Sequence, residues 1–483
     1  MARTVTKATP PITLRNHAGQ CGYQLPPALA EAMQPPREVT SRRFDLANNL
    51  VPFLVGAYLM PRSLQPACKG RTSMKAKTVP FLMFVSVLLG VLQGCASLQR
   101  LPAVPADCTT RADVLGIPNA RFFVDDDLSP YLNEVMAALD REKAFLAKSG
   151  HAGEMPPANF LALSGGGDDG AFGAGLLVGW TQSGTRPQFK LVTGISTGAL
   201  IAPFAFLGPH YDNLLKEFYT GVGPKDIYVT RNILSAITSD ALSDNKPLWN
   251  LVRKLVNRDM LNEIAAEYEK GRILLIGTTN LDARRPVIWN MGAIASSKDP
   301  RAVDLFDSIL LASAAIPGVF PPVMIPVEIN GKHFQEMHVD GGATAQVFVY
   351  PPSLFNLARS QNIKTDIRKR NLYVIRNGRL DPEWATVDRR LLSIAGRSIS
   401  SLIHSQGVGD LFRIYLVAKR DGVDFNLAFI GPEFKTVHKE DFDNVYMKAL
   451  FEYGHDLARN GYPWKKTPPF LESSKPLLLD LSN

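Results

Sequence analysis

Cysteines are scarce in this chain. Only Cys21, Cys68, Cys95 and Cys108 occur among its 483 residues. They form neither the paired Cys-x-x-Cys spacing of a zinc site nor the dense framework of a small disulfide-rich domain. We therefore expect no metal site and no disulfide scaffold, and nothing else in the pattern indicates a cofactor.

The chain after residue 94 also has no formal net charge. The whole sequence has 53 Lys and Arg against 45 Asp and Glu. Residues 1–94 hold eleven of the basic residues and only three of the acidic ones, so 42 of each kind remain in the rest. A formally neutral body lacks the basic surface that nucleic acid binding requires. We therefore expect no nucleic-acid partner.

Long hydrophobic runs are absent as well. The apolar run at residues 79–92 has 14 residues, whereas a membrane-spanning helix needs about 20. Two lysines precede the run and a small residue, Gly94, stands before Cys95. This order is typical of a secretory signal peptide, and the alternative is a core helix followed by a chance cysteine.

The segment Leu92-Gln93-Gly94-Cys95 resembles the lipobox of bacterial lipoproteins. The resemblance implies acylation of Cys95, a membrane attachment through the lipid anchor, and a place in the bacterial cell envelope, most simply the outer membrane. Several acyl chains anchor a protein far more firmly than one chain does. Because the signal begins only at Met74, we expect residues 1–73 to be a non-native upstream extension.

From Phe160 onward, short apolar segments alternate with helical ones. FLALS, FKLVTG, RILLIGTTN and NLYVIRNG have the composition of buried strands, and AFGAGLLVGW, TGALIAPFAFL and AVDLFDSILLASAA that of helices. Strands that alternate with helices predict a mainly parallel sheet covered on both faces, which is an α/β fold.

A glycine-rich turn follows the first of these strands. Gly165, Gly167 and Gly170 match the G-x-G-x-x-G pattern of dinucleotide-binding proteins, which also requires an acidic residue about 20 positions later. The next acid after Gly170 is Asp212, 42 residues on, and Asp168 and Asp169 would repel a phosphate. No Gly-Lys-Ser/Thr follows either, so we expect no nucleotide.

A serine occupies the position where that acid is missing. Gly194, Ser196 and Gly198 form G-x-S-x-G between an apolar strand and an apolar helix, the setting of a nucleophile elbow. One helix separates the two turns, so their strands are expected to lie side by side. The backbone N–H groups of Gly165, Gly166 and Gly167 are then predicted to form an oxyanion hole above Ser196.

Asp340 ends a further apparent strand and precedes Gly341 and Gly342. The order of a glycine-rich turn, G-x-S-x-G and D-G-G, with LASAAIPGVFPP before the aspartate, resembles the patatin-like phospholipase family over residues 158–355. The resemblance implies a three-layer sandwich and a serine acyl hydrolase of lipid esters, phospholipid or lysophospholipid. It also implies a Ser–Asp dyad in which Ser196 attacks and Asp340 accepts the proton.

One position departs from that family. Its glycine loop usually carries Arg or Lys before the last glycine, where this chain has Asp169. Two alternatives remain open: a Ser-His-Asp esterase of the α/β-hydrolase type, and a non-catalytic outer-membrane scaffold. The histidines available to such a triad are His338, His404, His438 and His455.

These features divide the chain into five predicted parts. The parts are an upstream extension (1–73), a signal peptide (74–94), a tether with an amphipathic helix (95–157), a catalytic domain (158–355) and a mostly helical C-terminal extension (356–483).

Overall fold

The computed structural model describes residues 99–151, 155–230, 239–364, 368–469 and 471. The upstream extension, the signal peptide and Cys95 lie outside the described residues. No helix within the described part combines the length and the apolar character needed to cross a bilayer.

The strands of the described chain vary from two to ten residues in length. In chain order they are β1 (Arg121–Phe122), β2 (Ala158–Leu163), β3 (Leu191–Gly194), β4 (Val229–Thr230), β5 (Ser243–Asp244), β6 (Ile273–Asn280), β7 (Arg285–Asn290), β8 (Val323–Ile329), β9 (Lys332–Asp340), β10 (Arg370–Arg379) and β11 (Asp424–Ile430).

Helices join most of these strands. They are α1 (Ser129–Lys148), α2 (Gly170–Gln182), α3 (Thr197–Leu207), α4 (Asp212–Thr220), α5 (Pro224–Ile227), α6 (Lys246–Leu255), α7 (Arg258–Glu269), α8 (Met291–Ala295), α9 (Ala302–Ser313), α10 (Leu354–Ser360), α11 (Leu391–Arg420) and α12 (Asn444–Arg459). The strand and helix segments predicted from Phe160 onward are confirmed, with small differences at their ends.

One large sheet organises the molecule. Its strands lie in the order β1-β7-β6-β3-β2-β10-β11, and β9 pairs with β6 and with β8. β6, β3, β2, β10 and β11 are mutually parallel, whereas the neighbours of β6 on its other side, β7 and β9, run in the opposite direction. The carboxyl ends of the parallel strands therefore meet at one edge of the sheet, which we call the active-site edge.

Helices cover both faces of this sheet. One apolar core includes side chains of α2, α3, α7, α9 and α12, and the other includes side chains of α1, α10 and α11. Apolar strands buried on both sides require such a double cover. The three-layer α/β sandwich with a mainly parallel sheet is therefore confirmed. β10 and β11 come from the predicted C-terminal extension, yet they complete the same sheet.

The glycines of α2 permit a very close helix pair. A Cβ at Gly175 would overlap the carbonyl oxygen of Phe451, and one at Gly179 would overlap that of His455. From the other side, a Cβ at Gly454 would lie 2.5 Å from the carbonyl oxygen of Phe172. Small residues allow two helix backbones to approach closely. The glycines after the glycine-rich turn thus hold α12 against the helix that the turn begins.

Candidate active site

Ser196 lies on a sharp turn between β3 and α3. Its backbone has φ 55° and ψ −127°, a conformation that residues with a side chain rarely adopt. A Cβ at Gly194 would overlap the Gly198 carbonyl, and one at Gly198 would overlap the Leu163 carbonyl. The turn therefore needs both flanking glycines, as the nucleophile-elbow interpretation predicts.

Asp340 is brought beside Ser196 by strand register. Gly194 pairs with Ile276 on β6, and Asp340 pairs with Thr278, two residues farther along the same strand. The Ser196 hydroxyl lies near enough to the Asp340 carboxyl to lower its pKa. Both side chains are buried, with 6% and 5% of their surfaces exposed. The two residues that the sequence selected therefore lie next to each other.

Burial controls the charge of the Asp340 carboxyl. It raises the pKa of Asp340 to about 7, although hydrogen bonds from Ser196 and from the Gly342 N–H act in the opposite direction. The Gly342 N–H donates to Asp340 Oδ1 at 2.7 Å and orients the group. A carboxylate with a pKa near neutrality is suited to accept a proton from a hydroxyl group.

A second serine, Ser313, hydrogen-bonds to the backbone of the elbow. The Ser196 N–H donates to Ser313 Oγ at 3.0 Å, and the Ser313 hydroxyl donates to the Gly277 carbonyl at 2.7 Å. Ser313 ends α9, inside the segment LASAAIPGVFPP. Sequence reasoning assigned no role to Ser313 because its contact with Ser196 spans more than a hundred residues.

The glycine loop lies next to the elbow, but one of its three predicted donors is occupied. A Cβ at Gly165 would lie 3.1 Å from Ser196 Cβ. However, the Gly165 N–H donates to the Gln346 carbonyl at 3.0 Å. The prediction that Gly165 is an oxyanion donor is therefore wrong. Within the described chain, the N–H groups of Gly166 and Gly167 have no protein acceptor, and Gly167 lines the cavity above Ser196.

A buried cation lies beneath the loop. Arg376, on β10, donates from Nη1 to the Gly165 carbonyl at 2.8 Å and to Ser164 Oγ at 3.1 Å. The Asn377 side chain donates to the Ser164 carbonyl at 2.8 Å, and a Cβ at Gly166 would overlap the Asn377 carbonyl. β10 thus shapes the loop, and the guanidinium places a positive charge near it. Neither residue belongs to a recognisable motif.

The two aspartates of the loop have partners in the C-terminal part of the chain. Asp168 accepts hydrogen bonds from His438 Nε2 at 2.7 Å and from the Phe442 N–H at 2.8 Å. Asp169 accepts one from the Tyr446 hydroxyl at 2.6 Å. Burial raises the pKa of Asp169 to about 6, and the Tyr446 hydroxyl opposes the shift. These acids tie the loop to residues 438–446.

An apolar cavity lies above Ser196. Its walls come from α3, α4, α5, α6, the segment after α9 and the segment around α12, and include Leu200, Phe218, Val222, Ile227, Leu248, Ile316, Phe320, Phe442 and Met447. The Tyr228 ring packs against Phe442 and Phe320 at centroid separations of 6.1 and 6.2 Å. The lining is therefore predominantly apolar.

Three of the four histidines considered for a triad have other partners. His338 is fully buried, with Nδ1 at 2.9 Å from Thr278 Oγ1 and Nε2 at 3.1 Å from Glu336. His438 binds Asp168, and His455 binds Gln182. His404 lies on α11, and no histidine lines the cavity above Ser196 in the described chain.

One group in the described chain has the spacing of metal ligands. Single ligand atoms of Glu452, His455 and Asp456 all lie within 4.8 Å of one another. The three residues are on α12, in a group that includes neither Ser196 nor Asp340. His455 Nε2 is already engaged at 2.9 Å by Gln182. This group does not contribute to the candidate site.

Comparison with known proteins bears on the central part of the chain. The sequence model described as "Patatin-like phospholipase" matches residues 161–351. A comparison with curated proteins finds no match. Among solved structures, the crystal structure of VipD from Legionella pneumophila is similar over 64% of this chain and 67% of that chain, with 12% sequence identity and a TM-score of 0.32.

Proposed function

We propose that residues 161–351, which match the family model described as "Patatin-like phospholipase", form a domain in which a Ser196–Asp340 dyad hydrolyses the acyl ester bonds of phospholipids or lysophospholipids. The observation that carries the proposal is that strand register places the buried Ser196 hydroxyl beside the buried Asp340 carboxyl. It joins a nucleophile in a strained elbow to a base whose pKa is about 7.

In the first half of the reaction, Ser196 Oγ attacks the ester carbonyl while Asp340 accepts the hydroxyl proton. The carbonyl oxygen becomes an oxyanion, which the N–H groups of Gly166 and Gly167 stabilise as hydrogen-bond donors. The bond to the alcohol then breaks, and the proton on Asp340 passes to the departing alkoxide. An acyl-enzyme on Ser196 and a free alcohol result.

In the second half, water replaces the alcohol. Asp340 accepts a proton from a water molecule while the oxygen of that water attacks the acyl carbonyl. The same backbone donors stabilise the second oxyanion. Collapse of this intermediate breaks the bond to Ser196 Oγ, which recovers the proton from Asp340, and the fatty acid leaves. The apolar cavity above Ser196 supplies the environment for the acyl chain.

Labelling with a fluorophosphonate probe tests the chemistry directly. We expect labelling of the wild type, none in Ser196→Ala, and strongly slowed labelling in Asp340→Asn, whose amide has no proton-accepting carboxylate. Ser360→Ala, a change at an exposed serine on α10, serves as the matched control. An unlabelled wild type would favour the non-catalytic scaffold instead. Loss of labelling in a His404→Ala variant that remains folded would favour a triad.

We further propose that the mature protein is attached to the bacterial outer membrane by acyl chains on Cys95. The support is the order of lysines, apolar run and lipobox-like residues before Cys95. Growth of expressing bacteria on radiolabelled palmitate should label the wild type but not Cys95→Ala, and the label should fractionate with the outer membrane. Equal labelling of Cys95→Ala would refute this attachment.

A further inference from the structure

The helix α11 is much longer than the strands that it joins. It leads from β10 to the parallel strand β11, so it runs back across the sheet and begins at the active-site edge. Its 30 residues rise about 45 Å, whereas the ten residues of β10 span about 33 Å. The first turns of α11 therefore extend beyond the edge.

Contacts with the candidate site show where this extension starts. The Gln346 side chain donates to Gln406 Oε1 at 3.5 Å and to the Gly342 carbonyl at 2.9 Å. The Gln346 N–H donates to Asp410 Oδ2 at 2.6 Å. Residues 406–410 thus lie beside the D-G-G segment, and the preceding turns of α11 lie farther out. No side chain described between 391 and 406 is buried, whereas Leu411 is.

Residues 384–405, which we call the projecting arm, expose large apolar side chains. Trp384 is 89% exposed, Leu391 82% and Leu402 69%, and Ile394 and Ile399 are each half exposed. At 100° per residue the four aliphatic side chains fall within an arc of about 140° on one face of α11. Several large apolar side chains exposed on one face of a helix are typical of an interaction site.

Basic side chains accompany this apolar face. Arg389 and Arg390 are exposed immediately before α11, and Arg397 lies one to two turns into it. The arm contains one acid, Asp388, and therefore carries a net positive charge. Glu383, which directly precedes the arm, forms an ion pair with Arg379: Oε1 of Glu383 lies 3.3 Å from Nε of Arg379. Tryptophan and arginine beside aliphatic side chains are typical of segments that lie at the surface of a membrane.

We propose that the projecting arm docks onto the surface of a bilayer that contains anionic phospholipid. Trp384 and the aliphatic face enter the region between head groups and acyl chains, and Arg389 and Arg390 contact lipid phosphates. Since the arm begins beside the Ser196–Asp340 site, docking holds that edge of the sheet toward the lipid. The choice of a bilayer as the partner rests in part on the proposed lipid esterase function.

Fluorescence of Trp384 in the full-length chain provides a local test. All proteins carry Ser196→Ala so that no lipid is consumed, and a Trp384→Phe twin supplies the background of the other tryptophans. Vesicles of phosphatidylcholine containing brominated acyl chains, with or without phosphatidylglycerol, act as the quencher. The two proteins of each pair differ only at Trp384. Any membrane binding by the apolar run at residues 79–92 is therefore the same in both and cancels from the difference in their fluorescence.

We expect vesicles to quench the Trp384 signal, and phosphatidylglycerol to strengthen the effect. Removing Arg389 or Arg390 should weaken binding about fivefold each, which corresponds to about 1 kcal/mol. Leu391→Ser with Leu402→Ser should abolish quenching of Trp384. Phe145→Ser and the pair Lys143→Ala and Lys148→Ala change exposed residues of α1 and should leave quenching unchanged.

Other occupants of the arm give different results. An arm covered by a second copy or by the chain itself would shield Trp384 from acrylamide in the absence of vesicles, and that shielding would overturn the proposal. Absence of quenching in both lipids would also overturn it. Docking without fluorophosphonate labelling of the enzyme carrying Ser196 would refute the proposed hydrolysis but not the docking.

Discussion

Asp168 in the glycine loop accepts a hydrogen bond from His438 Nε2 at 2.7 Å, across 270 residues of sequence. Although partial burial acts in the opposite direction, the negative charge of Asp168 raises the pKa of His438. The Phe442 N–H donates to the same carboxylate, and Phe442 lines the cavity above Ser196. The acid that argues against a phosphate ligand thus fixes one wall of the candidate site.

This wall should influence acyl-chain preference. Phe442→Ala removes a ring from the cavity, so we expect kcat/KM for long or branched acyl esters to rise about tenfold relative to short ones. Rates with a series of p-nitrophenyl esters measure the effect. Val437→Ala, at an exposed position of the same segment, should leave the series unchanged. An unaltered chain-length profile in Phe442→Ala would place the acyl chain elsewhere.

The raised pKa of Asp340 predicts the pH dependence of activity. Only the carboxylate accepts the proton of Ser196, so kcat/KM should fall as the pH drops below about 7 and level off above it. A pH–rate profile of the wild type provides the measurement. A profile that is flat between pH 5 and pH 8 would exclude Asp340 as the base, since about half of the carboxyl groups are protonated near pH 7.

The same carboxyl should affect stability in a defined direction. Between the usual value of 3.8 and about 7, the folded protein binds a proton that the unfolded chain releases, so stability decreases as the pH rises through this window. Asp340→Asn has no charge to bury and keeps an oxygen for the Gly342 N–H. We expect its Tm to exceed that of the wild type above about pH 8 but not at acidic pH. The same Tm difference between Asp340→Asn and the wild type at both pH values would contradict the presence of a buried, ionised Asp340.

The shape of the glycine loop should control catalysis. A side chain in Gly166→Ala would overlap the Asn377 carbonyl, so the loop must move and displace its N–H groups from the site. The loss of one oxyanion donor costs about 3 to 4 kcal/mol, and kcat should therefore fall by about 10² to 10³. Gly409→Ala, on α11 with open space at the Cβ position, is the control and should retain wild-type kcat.

Tyr446 should stabilise the loop through Asp169. Tyr446→Phe leaves one oxygen of a buried carboxylate without its donor, which costs about 1 to 3 kcal/mol. Because the pKa of Asp169 is about 6, the carboxylate is charged above that pH and the loss should be larger there than in acid. Urea denaturation at both pH values, with Tyr415→Phe for comparison, checks this expectation. A pH-independent loss would contradict it.

The glycines of α2 offer a test of the fold. Gly175→Ala and Gly179→Ala place methyl groups against the backbone of α12, and overpacking of this kind costs about 1 to 3 kcal/mol or more. Chemical denaturation measures the loss. Gly396→Ala adds a methyl group to a helical position with open space and should not destabilise, so equal effects at the three positions would exclude close packing as the cause.

Much of the candidate site could be predicted because its main residues have strong local signals. Ser196 follows one apolar strand, Asp340 ends another, and both are accompanied by glycines. Their proximity depends on the register of β9, which runs antiparallel to β6 and pairs Asp340 with Thr278. The individual oxyanion donors were less predictable: the Gly165 N–H is taken by Gln346, whose neighbouring sequence has no motif that announces this contact.

The sequence by itself determined the alternation of strands and helices and the elbow at Ser196. These features depend on periodicity and on backbone turns that only glycine permits, both of which are local. Tertiary structure alone decided that Arg376 lies under the loop, that Ser313 supports the elbow and that Asp168 and Asp169 bind residues near α12. Such contacts depend on which distant segments pack together, and a buried polar group accepts whichever partner the completed fold brings within hydrogen-bonding distance.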